Sequence, residues 1–174
     1  KSPADMVGLK LRTMPTPVPL STFKLLGANP TPMNFGEVFT AMQQGVVDGQ
    51  ENTWSNIYGK KFFEVQDGIT QTDHGILDYL LVTNVDWLNG LDADVRDQFL
   101  KIVAEVTATR NAESTKVNNK AKEAVIEAGG VVRVLTAEQR QAWVDVMEPV
   151  WKKFEGDVGA ENIEAAQEIN AKYQ

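Results

Sequence analysis

The sequence has no cysteine, one histidine and no long apolar run. Without cysteine there is no disulfide, no zinc–thiolate site and no thiol nucleophile. Its absence suits a cytoplasmic or a periplasmic protein equally. With His74 alone, a metal site of clustered histidines is also excluded. Apolar runs fall short of the roughly 18 to 20 residues that cross a bilayer. From Lys1-Ser2-Pro3 onward no signal peptide is expected. Basic charge is scarce too, with 17 Lys and Arg against 24 Asp and Glu and a net charge of -7. No basic face is offered to phosphates, so nucleic acid is not an expected partner. Binding to an anionic membrane surface gains no support.

Enzyme signatures are equally thin. There is no Walker A loop, no Gly-x-Gly-x-x-Gly and no Gly-x-Ser-x-Gly elbow. Asp73-His74 would place a base beside an orienting carboxylate, but neighbours on a strand point to opposite faces. No catalytic residue, metal or cofactor is expected.

What is present describes an ordered globular chain. Of 174 residues 43% are hydrophobic, and seven Phe, four Trp and three Tyr can fill a core. Strand and helix signals alternate, which favours an α/β fold of one domain or two small lobes. Gly8 to Met14 alternates as a strand, and Pro15, Pro17 and Pro19 are expected to forbid a helix there. A short helix from Ser21 to Leu26 should follow, closed by Gly27. Asn34 can cap a helix from about Phe35 to Gln44, with Phe35, Val38, Phe39 and Met42 facing a core. Val46 to Glu51 reads as a short strand and turn, delivering Asn52 to a loop. Tyr58 to Phe63 reads as a short helical or turn segment.

From Ile69 to Asn84 the pattern is extended, and Ile76-Leu77 with Tyr79 to Val82 is apolar enough for a buried strand. A long helix is expected over Asp92–Ala128, with two apolar stripes separated by a polar middle. Either one helix serves two cores, or two helices break near Asn111. A strand over 131–135 should follow Gly129-Gly130. Thr136 should cap a helix that Pro149 breaks or kinks, and Glu161 to Tyr173 should form a last helix.

Individually, the polar candidates are ambiguous. Arg12 sits near the end of an apolar strand, and its planar fork matches a carboxylate through two parallel hydrogen bonds. On pattern alone, a structural ion pair or a solvated strand end explains it as simply. Asn52 suits a turn, and Phe35 and Trp54 suit a core.

Several ordered blocks change that balance. They are Gly8-Leu9-Lys10-Leu11-Arg12, Gly27 to Met33, Glu37 to Gln43, Gly45-Val46-Val47-Asp48-Gly49-Gln50-Glu51-Asn52, Lys61 to Gln66, and Thr72-Asp73-His74. In these blocks the chain resembles, essentially end to end, the DctP-type solute-binding subunits of tripartite ATP-independent periplasmic (TRAP) transporters. The resemblance is to their C-terminal half. It implies a periplasmic-binding-protein-like fold of two α/β lobes with a long lobe-spanning helix, here lacking most of the N-terminal lobe. Residues 1–77 and 118–174 would form the second lobe, and 78–117 would return to the first. The first lobe's remainder, or another chain, would have to cover the apolar surface of that returning segment.

Function follows from the same resemblance. A periplasmic protein would trap a small organic acid between its lobes and deliver it to TRAP permease subunits in the membrane. Arg12 would pair with the solute carboxylate, Asn52 would donate to it, and Phe35 would lie against the solute body. Trp54 would form a cleft wall, and Met14 with Pro15 would stand where relatives place polar contacts. A ligand-sensing or interaction module on the same lobe, uncoupled from transport, is the alternative.

Overall fold

The structure is a computed structural model and describes residues 2–172. In chain order its elements are β1 (Lys10–Thr13), α1 (Pro17–Leu25), β2 (Asn29–Pro32), α2 (Val38–Gln43), β3 (Gly49–Gln50), α3 (Trp54–Gly59), β4 (Ile69–Gln71), α4 (Val85–Asn89), α5 (Ala93–Glu127), β5 (Val132–Val134), α6 (Ala137–Val158) and α7 (Ala160–Lys172). Tyr173, expected at the end of the last helix, lies outside the described residues. Internal contacts divide the chain into two units. One comprises residues up to Glu51, Lys61–Thr72 and Gly130 onward; the other comprises Asn52–Lys60 and Asp73–Gly129.

The first unit is built on a parallel sheet in the order β2-β1-β3. β1 is central because Leu11, Arg12 and Thr13 can all be buried, unlike the residues of β2 at the edge. β2 contains Pro30 and Pro32, which the sequence did not suggest as a strand. Asn29 N donates to Leu9 O at 2.7 Å and Met33 N to Thr13 O at 3.4 Å. The alternate residues Pro30 and Pro32 therefore turn their donorless nitrogens to the open edge, where nothing is lost. Asp48 locks β3 on the other side: its carboxylate accepts from Lys10 N at 2.8 Å, and Lys10 O accepts from Asp48 N at 2.8 Å. Gly49 fits because a Cβ there would lie 3.2 Å from Leu11 Cδ2.

Leu11, Phe23, Leu26, Ala28 and Trp143 form a buried core of this unit, with Met6, Leu9, Leu135 and Met147 against it. The prolines before it behave differently from expectation. α1 starts at Pro17 and contains Pro19, because nitrogens in a helix's first turn have no intrahelical acceptor to lose. Likewise α6 runs through Pro149 instead of breaking there, with Trp143 and Val150 buried on either side of it. Thr136 and Gln139 cap α6 reciprocally, at 3.2 and 3.0 Å. The expected helix at Phe35–Gln44 is a 3-10 turn over Phe35–Glu37 followed by α2, and Asn34 makes no side-chain cap bond. β4 and β5 pair in parallel as a second, two-stranded sheet.

The second unit is helical. α5 is one helix of 35 residues, so the break near Asn111 does not occur. Ala121 and Val125 in its last turns are buried, as is Ile57 of α3, which packs on it. Farther back, Val95, Ile102 and Val106 stay exposed. The buried strand expected from Ile76 to Val82 does not form. Residues 73–84 have no regular structure, Ile76 is 90% and Leu80 87% exposed, and no strand among the described residues of this unit is there to pair with them.

Candidate functional site

Arg12 is 4% exposed, although nothing among the described residues makes an ion pair with it. Alternation along β1 sends Leu11 toward the Phe23–Trp143 core and Arg12 to the opposite face. Its register partners there are Thr31 on β2 and Gln50 on β3. These positions lie at the carboxyl ends of three parallel strands, the usual place for a ligand in an α/β sheet.

The guanidinium is held in one orientation. Nε and Nη2 both donate to Met33 O, at 3.1 and 2.9 Å. The ring of Phe35 lies 5.7 Å from Cζ, and Phe62 meets Phe35 edge-on at 5.7 Å. One carbonyl thus occupies the edge formed by Nε and Nη2. The remaining edge, Nη1 with the second N–H of Nη2, is the one that grips a carboxylate through two parallel bonds. Burial lowers the Arg12 pKa from its ordinary value, and the nearby negative charge of Glu51 raises it in part. An arginine starts so high that it stays a cation at neutral pH.

Two polar atoms of this sheet are buried without a partner among the described residues: Thr13 Oγ1 and, in register with Arg12, Gln50 Oε1. Thr13 is fully buried. Gln50 shares the Arg12 face of the sheet, so its amide has hydrogen-bonding capacity to spare beside the guanidinium. Met14, directly after β1, is half-buried and Pro15 is exposed.

Asn52 and Trp54 belong to the second unit, at the start of α3. Asn52 Oδ1 accepts from Thr53 N at 3.1 Å and from Asn56 Nδ2 at 2.6 Å. Both bonds use the oxygen, which leaves the Asn52 amide nitrogen as a donor. Trp54 carries Lys122 Nζ 5.6 Å from its ring centroid, so one aromatic face is already covered by a cation. Ser55 N donates to Asn118 Oδ1 at 3.1 Å and ties this segment to α5.

Of the five residues singled out in the sequence, Arg12 and Phe35 are in direct contact, and Met14 follows Arg12 on the same strand end. Sequence reasoning missed the Met33 carbonyl, Gln50, Glu51 and Asn56. A carbonyl leaves no trace in residue identity. Gln50 and Glu51 stood inside the quoted Gly45–Asn52 block without a role, and Asn56 follows Asn52 by four residues. Among the described residues, no group of three or more His, Asp or Glu gathers as a metal site. No described helix is long and apolar enough to cross a membrane.

Comparison with known proteins identifies the family. Residues 1–157 match the family described as bacterial extracellular solute-binding protein, family 7, DctP. The chain is 61% identical over 170 residues to the C4-dicarboxylate-binding periplasmic protein DctP of Vibrio cholerae serotype O1, covering 98% of this chain and 51% of that protein. It superposes with a TM-score of 0.92 on a TRAP periplasmic solute-binding protein from Shewanella oneidensis with bound succinate, at 43% identity over 95% of this chain and 55% of the other. A TRAP periplasmic solute-binding protein from Pseudomonas aeruginosa with bound L-malate gives a TM-score of 0.85 at 39% identity, covering 87% and 53%. The chain spans about half the length of the curated relatives it matches. The α/β, periplasmic-binding-protein-like fold class read from the sequence is the one these solute-binding structures have. The chain belongs to the DctP family of TRAP solute-binding proteins.

Proposed function

We propose that the chain supplies the carboxylate grip of a periplasmic protein that captures a small organic acid and hands it to a TRAP permease. The observation that carries this reading is a buried guanidinium with one edge fixed on Met33 O and, although Glu51 is near enough to favour its charge, no ion pair among the described residues. A charge in that position is costly unless something pairs with it. A solute carboxylate on the Nη1–Nη2 edge supplies the partner, with the Phe35 ring against the solute body. In the second unit, Asn52 has spare amide N–H groups and is read as a donor to a solute carboxylate. Met14 in the first unit and Trp54 in the second are the further solute contacts of this reading.

Relatives named for C4-dicarboxylates, and neighbours holding succinate and L-malate, make a four-carbon dicarboxylate the first solute to test. Capture proceeds by hinge closure of two lobes in the whole protein, without chemical turnover. Residues 1–77 and 118–174 serve one lobe, and 78–117 serve the other. The exposed side chains of Ile76 and of Tyr79, Leu80, Leu81 and Val82 favour that division, since a lobe completed by the rest of the protein would bury them.

Titration calorimetry of the full-length protein with succinate and L-malate tests the assignment. Arg12→Ala leaves a bound carboxylate unpaired in a desolvated site, a loss of about 3 to 5 kcal/mol. That weakens affinity by at least about two orders of magnitude. Binding within threefold of the unaltered protein rejects Arg12 as the grip.

A further inference from the structure

We propose that Asn56 is a positioning residue for solute binding: it fixes which end of the Asn52 amide faces the solute. The inference rests on the reading of Asn52 as a donor to the solute carboxylate.

An asparagine amide can present either a donor or an acceptor, and only its partners decide which. Here the decision is anchored on the backbone. Thr53 N is a donor under all conditions and lies 3.1 Å from one end of the Asn52 amide, which must therefore be oxygen. Asn56 Nδ2 lies 2.6 Å from the same atom, so it too donates. Its other N–H reaches Tyr79 Oη at 3.1 Å. Both protons of the Asn56 amide are thereby spent, one holding Asn52 and one held by Tyr79. Thr53 N directly, and the Asn56 amide steadied by Tyr79, thus hold Asn52 Oδ1 and leave Asn52 Nδ2 as a pure donor. A carboxylate needs a donor there; a turned amide would face it with oxygen.

Aspartate at position 56 inverts this logic with little change in volume. Its carboxylate would reverse the Tyr79 bond, accepting from the hydroxyl to which the Asn56 amide now donates, and it cannot donate to Asn52 Oδ1. Asn52 must then either stay against a carboxylate or turn over. Turning forfeits the Thr53 bond and presents oxygen to the solute. Asn56→Ala removes the clamp while leaving the Thr53 bond, and has the milder consequence.

Succinate affinities of the full-length protein, read by calorimetry with melting temperature alongside, test the inference. Asn52→Ala and Asn56→Asp should each weaken binding on the order of tenfold or more, as expected for a lost hydrogen bond to a charged group. Asn56→Ala should lose less than Asn56→Asp. In an Asn52→Ala background, Asn56→Asp should cost no further affinity, because the residue it positions is gone. Additive losses in the double variant, or Asn56→Ala weaker than Asn56→Asp, overturn the proposal even if melting temperatures fall. If Asn52→Ala alone binds normally, the underlying reading of Asn52 fails instead.

Discussion

The two units of this chain spend similar apolar material in opposite ways. In the unit carrying β1, Leu11, Phe23, Leu26, Ala28 and Trp143 close on one another, and even Arg12 is drawn inside. In the unit carrying α5, the stretch from Ile76 to Val82 stands in the open, as do Val95, Ile102 and Val106. Composition does not separate them, since both have branched and aromatic side chains to bury. What differs is the availability of partners within the chain: β1 has neighbours on both edges, whereas residues 73–84 have no strand to join. Apolar pattern sets the capacity for burial, and topology decides whether it is realised.

The largest expected effect comes from attacking the closed core. Trp143→Ala should lower stability by about 3 to 5 kcal/mol, measured by denaturant unfolding of the full-length protein. A loss well under 1 kcal/mol would show that this unit's core does not depend on α6. Hydrogen exchange sharpens the contrast next. Amides of 76–82 should exchange fast in the 174-residue chain and become protected in the full-length protein, whereas those of β1 should be protected in both. Equal exchange of 76–82 in the two proteins would break the account of the exposed stretch. Asp48→Ala, which removes the acceptor for Lys10 N, should cost roughly 1 to 3 kcal/mol. The smallest stability effect belongs to Gln50→Leu. Its buried oxygen has no partner to lose, so the change should be within about 0.5 kcal/mol.

Much of the fold is legible in the sequence. Alternation gave β1, and Thr136 as a cap gave the start of α6, though not its reciprocal bond with Gln139. The long α5 was visible from its two stripes, though not its continuity. Proline was the main source of misreading. Pro17 and Pro19 sit in a first turn, and Pro30 and Pro32 point to an open edge, so each lacks a donor where none is needed. Residue identity forbids a hydrogen bond, but only the position says whether one was required. For the site, residue identity alone left Arg12 and Phe35 ambiguous, and the family blocks around them are what nominated them. Met33 escaped notice because its contribution is a carbonyl, and Asn56 because it acts on another side chain.

The central claim is that Arg12 is buried for the solute and not for the fold. Thermal unfolding of the full-length protein with and without succinate tests this directly. Arg12→Met replaces a buried cation that has no ion pair among the described residues with an apolar chain of similar length, so the solute-free protein should melt no lower than the unaltered one. Saturating succinate should raise the melting temperature of the unaltered protein and leave that of Arg12→Met unmoved. A variant that melts many degrees lower without solute, yet still gains the full shift with it, would contradict the account.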